Sequence, residues 1–182
     1  MGQGLVADVF SDSAVFDSLI GDSAIGHVRY STTGNSDPKN VGPLTFNMGD
    51  YSLSIAHNGN LVNIDEIRKE LQENGALFQT STDTEIIIHL LAREKGNTLA
   101  DKLEKVLQKI EGAYSLILLS PNEIIAARDP HGIRPFCMGK LQDTIVFASE
   151  TCALDLLGAE YVREVNPGEM IVANDDGFYS RY

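Results

Sequence analysis

The sequence has few cysteines, no tryptophan and no long apolar run. Its 182 residues include only two cysteines, Cys137 and Cys152, and they form no Cys-x-x-Cys pair. This usage fits a reducing cytosol better than a secreted disulfide scaffold. No apolar stretch approaches the ~20 residues that a membrane-spanning helix needs, and the first twenty residues lack a basic segment followed by an apolar one. We therefore expect a cytoplasmic protein that does not interact with a membrane.

Positive charge is also scarce. Fourteen Lys and Arg residues stand against 26 Asp and Glu residues, which gives a net charge of −12. So acidic a chain is a poor partner for nucleic acid or for an anionic membrane surface. No internal repeat and no Pro/Gly/Ser-rich linker divides the chain, so we expect a single domain over residues 1–182. Its four histidines show no metal-binding spacing, and we expect no metal site.

The order of predicted elements favours an α+β fold with mostly antiparallel sheets. Apolar residues at helical spacing predict helices over 63–74, 83–95 and 98–110. Strands are predicted at 5–10, 24–31 and 51–57, and from residue 114 onward strands alone follow, apart from a short helix at 152–156. Residues 57–60, His-Asn-Gly-Asn, are predicted to be a tight turn. Runs of helices and runs of strands are typical of α+β rather than alternating α/β proteins.

Three polar segments at predicted element ends are candidates for a functional site. Arg29 lies in a predicted apolar strand, where a guanidinium needs an anionic partner; an internal salt bridge is the plainer interpretation, and a bound carboxylate is the alternative. Asn58 and Gly59 could donate N–H groups to an oxyanion, or they could simply form a turn. Asp83 could bind an ammonium group or cap the helix that follows it.

Taken together, these groups suit an amino-acid amide. Arg29 would bind an α-carboxylate, Asp83 an α-ammonium group, and Asn58 with Gly59 an amide carbonyl, and glutamine is the obvious candidate. The chain resembles the glutaminase domain of the amidophosphoribosyltransferase family, a class II glutamine amidotransferase domain of the N-terminal-nucleophile hydrolase superfamily. The segments that carry the likeness are GQGLVADVF (2–10), GHVRYSTTG (26–34), AHNGNLVN (56–63), STDTEIIIHLL (81–91), EGAYSLILL (111–119), ARDPHGIRPF (127–136) and ASETCALDLLGAEYVREVNPGEM (148–170).

The resemblance implies a four-layer αββα sandwich and a role for each candidate residue. Arg29 would bind the glutamine α-carboxylate, with Tyr30 and Thr32 lining the same pocket. Asn58 and Gly59 would form the oxyanion hole, and Asp83 would hold the ammonium group. The family makes 5-phosphoribosylamine from phosphoribosyl pyrophosphate and glutamine in purine biosynthesis. No cofactor is implied for this domain, whereas Mg²⁺ and, in some members, an iron–sulfur cluster are implied for the full-length enzyme.

One departure from the family concerns the nucleophile. Class II amidotransferases use a cysteine at the mature N-terminus, and the chain opens instead with Met1, Gly2 and Gln3. We expect Cys137 and Cys152 to be buried, inert thiols. The resemblance thus implies a partial domain that lacks its first strands, a helix and the phosphoribosyltransferase half, and that is inactive alone.

The remaining expectations concern partners and alternatives. The expected partners are glutamine and the phosphoribosyltransferase half of the enzyme. A second copy of the chain is a further possible partner, through a sheet edge left unpaired. The alternatives are a non-catalytic glutamine-binding or remnant domain, or another class II amidotransferase such as glucosamine-6-phosphate synthase.

Overall fold

The computed structural model describes residues 2–29 and 37–182. The helices are α1 (Val6–Val9), α2 (Ala14–Asp17), α3 (Ile64–Glu73), α4 (Thr84–Arg93), α5 (Leu99–Leu107) and α6 (Thr151–Leu157), with a short 3₁₀ helix at Pro38–Asn40. The strands are β1 (Leu44–Met48), β2 (Tyr51–Leu61), β3 (Gly112–Leu119), β4 (Ile124–Arg128), β5 (Cys137–Leu141), β6 (Thr144–Ala148), β7 (Glu160–Glu164), β8 (Met170–Asn174) and β9 (Gly177–Arg181). The described helices include none that is both long and apolar enough to cross a membrane.

The strands form two antiparallel sheets. One has six strands in the order β1-β2-β3-β4-β8-β9, and the other has three in the order β6-β5-β7. The longest strand, β2, pairs with β1 on one side and with β3 over residues 54–61 on the other. The prediction of an α+β fold with antiparallel sheets is confirmed.

Helices α3, α4 and α5 cover one face of the six-stranded sheet. Each has an apolar stripe, as its sequence period predicts, and the stripes join one face of the sheet in a single buried cluster that includes Leu71, Ile87, Leu103 and Leu116. Helix α5 begins with a capping box in which Thr98 and Asp101 bond each other's backbone N–H groups at 3.0 Å.

The opposite face of the six-stranded sheet packs against the three-stranded sheet. Ala126 and Ile171 of the larger sheet join Phe136, Met138 and Val165 in a second buried cluster. Helix α6 then covers the outer face of the smaller sheet: a Cβ at Gly139 would lie 2.9 Å from both terminal carbons of Leu154, so glycine allows this close packing. The order of layers is helices, sheet, sheet, helix, which confirms the predicted αββα sandwich.

Three local predictions were wrong. Residues 5–10 contain helix α1 rather than a strand. Of the strand predicted at 24–31, residues 24–29 form no strand pair, and residues 30 and 31 lie outside the described residues. In α1 the Val9 and Phe10 N–H groups bond the Leu5 and Val6 carbonyls at 3.0 Å, so the backbone is satisfied locally where no neighbouring strand is available. The predicted turn at 57–60 lies inside β2, which continues to Leu61. Strands β1 and β9 were not predicted.

Candidate functional site

The described candidate residues meet in one open cleft of about 570 Å³. Its walls come from residues 27–29, from the second half of β2, from the start of α4 and from the loop before β5. Arg29, Asn58, Gly59 and Asp83 all line it. The predicted pocket residues Tyr30 and Thr32 lie outside the described residues. A second cavity, of about 480 Å³ beside β1, contains none of the candidate residues.

Both interpretations of Arg29 placed it in an apolar strand, and the structure does not. The residue lies in no strand and is exposed, so the premise of a guanidinium buried in an apolar strand was wrong. It forms no ion pair with any described residue. An internal salt bridge with Asp83, which lines the same cleft, is absent. Arg29 is therefore a cation at the cleft that is available to an anionic ligand.

Asp83 lies at the start of α4, but its side chain does not cap that helix. One carboxylate oxygen accepts the Leu61 N–H at 3.1 Å, and the other lies 3.3 Å from Nδ1 of His57. Burial alone would raise the pKa of Asp83, but the hydrogen bond and charge of His57 and the Leu61 N–H outweigh it, so this pKa is lower than usual. Asp83 therefore stays ionised at neutral pH and presents a negative charge in the cleft.

His57 supports Asp83 from inside the sheet. Its side chain is only 2% exposed, and Nδ1 contacts both Asp83 and, at 3.4 Å, the Thr84 hydroxyl. Nε2 of His57 is buried with no partner among the described residues. His57 thus helps to hold the Asp83 carboxylate in place.

Asn58 and Gly59 lie side by side on β2. The Asn58 amide nitrogen donates to the Ser149 hydroxyl at 3.0 Å, and its oxygen accepts from the Arg134 guanidinium. Gly59 has a φ of +154°, and a Cβ there would lie 2.0 Å from the carbonyl oxygen of Ala113 on β3. The glycine is thus required by the close approach of two strands, which is why a segment with turn composition continues as a strand.

The segment before α4 is held firmly against the body of the domain. Glu85, 1% exposed, accepts the Gln79 and Thr80 N–H groups at 2.8 and 2.7 Å. Arg68 donates to the Thr80 and Thr82 carbonyls. These bonds fix the backbone that leads to Asp83, so its position in the cleft does not depend on a ligand.

The 3₁₀ helix is tied to the same segment. The amide of Asn40 exchanges hydrogen bonds with Ser81, at 2.9 Å to its hydroxyl and 3.2 Å from its backbone N–H. Both residues line the cleft. Two hydrogen bonds therefore join the 3₁₀ helix to the segment before α4 at the cleft.

Two residues of the loop after β4 belong to the site or support it, and neither was named from the sequence. Arg134 lines the cleft and contacts Asn58. Asp129, fully buried, accepts the N–H groups of His131, Ile133 and Arg134, each at 3.0 Å. The signal was present: an Asp followed by Pro-His-Gly after a strand is a pattern in which the carboxylate bonds the backbone of its own loop.

Neither thiol belongs to the cleft. Cys137 is buried in β5, where burial raises its pKa, and Cys152 is exposed in α6. The expectation that both are buried is therefore wrong for Cys152, which lies on the outward side of a surface helix. Within residues 2–29 and 37–182, no group of three or more His, Cys, Asp or Glu side chains could hold a metal ion.

Comparisons with known proteins agree with this geometry. Residues 27–156 match the model of a family described as a glutamine amidotransferase domain. The chain is 50% identical to amidophosphoribosyltransferase 2 (chloroplastic) of Arabidopsis thaliana, covering 97% of this chain and 31% of that protein. It is 46% identical to amidophosphoribosyltransferase of Bacillus subtilis, covering 98% of this chain and 38% of that protein. The chain thus spans about a third of the length of these relatives.

Solved structures give the same result. A structure described as the allosteric regulatory enzyme of purine biosynthesis matches 99% of this chain and 39% of its own, with 42% identity and a TM-score of 0.90. The B. subtilis glutamine phosphoribosylpyrophosphate amidotransferase, complexed with ADP and GMP, matches 85% of this chain and 33% of its own, with 46% identity and a TM-score of 0.81. The family match extends over more than half of the sequence and includes the cleft. The chain belongs to the family of glutamine amidotransferase domains.

Proposed function

We propose that this chain is the glutamine-binding part of an amidophosphoribosyltransferase. The whole enzyme would release ammonia from glutamine and use it to make 5-phosphoribosylamine from phosphoribosyl pyrophosphate, in purine biosynthesis. Similarity to amidophosphoribosyltransferases over almost all of this chain supports that choice over glucosamine-6-phosphate synthase. The observation that carries the proposal is that Arg29 and Asp83 line one cleft without pairing with each other.

The charges of the cleft suit a free amino acid. Arg29 supplies a cation with no ion-pair partner among the described residues, whereas the other cleft arginine, Arg134, already donates to Asn58. Asp83 supplies an anion whose lowered pKa keeps it charged. In a chain of net charge −12, Arg29 is the natural site for a carboxylate, and Asp83 for an ammonium group. Asn58 and Gly59 are then the groups proposed for the amide carbonyl.

Removing either charge should weaken glutamine binding. We expect Arg29→Ala and Asp83→Asn each to raise the dissociation constant of L-glutamine about 10- to 100-fold, as expected for loss of a charged hydrogen bond. Isothermal titration calorimetry on the 182-residue chain measures this directly. Arg93→Ala and Asp155→Asn are matched controls, because both residues are exposed and neither lines the cleft. Equal glutamine affinity in Arg29→Ala and wild type would refute the role of Arg29.

The chain by itself should not hydrolyse glutamine. Covalent hydrolysis in this family requires a thiolate next to the amide carbon, and neither Cys137 nor Cys152 lines the cleft. We therefore expect no ammonia release above the uncatalysed rate when purified chain is incubated with glutamine. Sustained release that disappears in Cys152→Ala would show that the nucleophile has been misassigned.

A non-catalytic glutamine-binding domain is the second candidate, and an in-frame Cys-Gly start upstream in the gene would argue against it.

Other parts of the proposal concern the whole enzyme. A phosphoribosyltransferase domain is the proposed partner of this chain, which would be one partial amidotransferase domain over residues 1–182. An iron–sulfur cluster needs four cysteine ligands, and Cys137 and Cys152 alone do not fit one. No described acidic cluster fits Mg²⁺ either, so both groups are proposed only for the rest of the enzyme.

Assembly and location also remain proposals. The outer strands of the six-stranded sheet are β1 and β9, and either edge could pair with a second copy. The acidic charge supports a protein that does not bind nucleic acid. A cytoplasmic location is proposed from the sequence, whereas the relatives from A. thaliana are named chloroplastic.

A further inference from the structure

Arg134 enters the cleft from the loop between β4 and β5 and contacts the predicted oxyanion donor. One of its terminal nitrogens donates to the side-chain oxygen of Asn58. A guanidinium has donors only, so the Asn58 atom that faces it must be the oxygen. The Asn58 amide nitrogen consequently faces the other way, where it donates to the Ser149 hydroxyl at 3.0 Å. Arg134 therefore determines which of the two possible orientations the Asn58 carboxamide adopts.

The orientation leaves one N–H of Asn58 available. An amide nitrogen carries two hydrogens, and the bond to Ser149 uses one of them. The second has no partner among the described residues, and Asn58 lines the cleft and is half-buried. In the flipped orientation the oxygen would face Ser149, and the nitrogen would meet the Arg134 donor. Two donors facing each other are unfavourable, so that state is excluded while Arg134 is in place.

Both backbone polar groups of Arg134, its N–H and its carbonyl, are hydrogen-bonded. Its N–H donates to Asp129 at 3.0 Å, and its carbonyl accepts from the Arg128 side chain at 2.7 Å. Arg128 is 8% exposed, and its guanidinium also bonds the Val165 and Gly132 carbonyls. Two buried side chains thus fix the loop at the residue that touches Asn58.

The hydrogen bond to Asn58 is made by a terminal nitrogen of the Arg134 side chain. Its Nε is buried without a partner among the described residues, and an unpaired buried donor is unfavourable for folding. We infer that Arg134 is a positioning residue that orients the Asn58 carboxamide, so that an Asn58 N–H can meet the amide oxygen of glutamine. This inference rests on the proposed function.

The orientation of Asn58 can be measured without any ligand. The side-chain ¹⁵N–¹H₂ signals of Asn58, assigned by their absence from Asn58→Ala, report its hydrogen bonds. We expect these signals to shift in Arg134→Met, which keeps the chain length and removes every donor, and to return toward their wild-type positions in Arg134→Lys. Unchanged Asn58 signals in Arg134→Met would overturn the inference. A thermal melt of each variant separates this effect from unfolding.

Ligand binding tests whether the orientation matters for recognition. L-Norvaline has the same charged groups as glutamine but no carboxamide. Its affinity therefore reports binding by Arg29 and Asp83 alone. We expect Arg134→Met to weaken glutamine binding about 5- to 10-fold, the effect of one hydrogen bond, and to leave norvaline binding unchanged. In an Asn58→Ala background the same substitution should have no further effect on glutamine.

Each outcome has a distinct meaning. Equal affinity for both ligands in Arg134→Met and in wild type would overturn the inference. So would an undiminished effect of Arg134→Met in the Asn58→Ala background. If wild type binds neither ligand, the proposed function fails, and the Asn58 signals still decide whether Arg134 orients the carboxamide.

Discussion

Gly59→Ala is expected to lower the free energy of unfolding by more than about 4 kcal/mol, in the range reserved for exceptional substitutions. A Cβ at this position would lie 2.0 Å from the Ala113 carbonyl oxygen and 2.8 Å from Cα of Tyr114. Both atoms belong to the backbone of β3, so no side chain can rotate away to relieve the clash. Strands β2 and β3 would have to separate, and their ladder extends over residues 54–61 of β2. Urea denaturation followed by circular dichroism measures the change.

Gly75→Ala is the matched control for Gly59→Ala. Gly75 follows α3 with a φ of +81°, and no atom lies within 4 Å of the place that a Cβ would take there. Alanine at this position should cost only about 1–2 kcal/mol, the strain of a left-handed conformation. Similar losses in the two variants would mean that backbone strain, and not the contact with β3, makes Gly59 necessary.

Asp129→Ala should also destabilise the protein strongly, by about 3–5 kcal/mol. The carboxylate is fully buried and accepts three backbone N–H groups of one loop. Removing it leaves these donors unpaired, each at a cost of about 1–3 kcal/mol, partly relieved where water can enter. The same loop carries Arg134, so glutamine binding should weaken as well. Chemical denaturation and calorimetry measure the two effects separately.

The loss caused by Asp129→Ala should depend on pH. Burial alone would raise the pKa of Asp129, but the N–H groups of Arg134, Ile133 and His131 outweigh it and lower this pKa. A carboxylate with a lowered pKa contributes stability above its unfolded pKa, about 3.9, and loses that contribution as the pH falls through the folded value. The difference between variant and wild type should therefore shrink in acid. Asp12→Ala is the control, because Asp12 is exposed and accepts one N–H; an equal loss there would contradict the role assigned to burial.

Much of the fold follows from periodicity in the sequence. Helices α3, α4 and α5 were predicted within a few residues because their apolar residues recur at helical spacing and bury one face. The order of elements gave the α+β class. Strand β9 was missed because it is an outer strand with mostly exposed side chains. Strand β1, Leu-Thr-Phe-Asn-Met, does alternate apolar and polar residues, so its signal was present in the sequence and was overlooked. Helix α1 has no buried residue, and with so little packing its local pattern misled the prediction.

The charged residues of the candidate site could be predicted from the sequence, whereas the contacts that hold them in place could not. Arg29, Asn58, Gly59 and Asp83 were named from residue type and resemblance, and all four line the cleft. The segment His57–Asn60 was interpreted as a turn because Asn and Gly favour turns locally, whereas the contact with β3 decides its conformation. Arg134 lies 76 positions from its partner Asn58. A contact across that separation depends on how the loop between β4 and β5 is held beside β2, and no local pattern encodes it.

The length of β2 also bears on how a ligand is received. One continuous strand carries the core residues Leu53 and Ile55 and then the cleft residues Asn58 and Gly59. Asn58 and Gly59 are paired with Ser115 and Tyr114 of β3, and we expect amides held in such a ladder to exchange more slowly than those of loops. Asn58 and Gly59 are consequently preorganised, and a bound molecule loses little additional entropy in ordering them. Affinity on this side of the cleft is set by geometry that exists before any encounter.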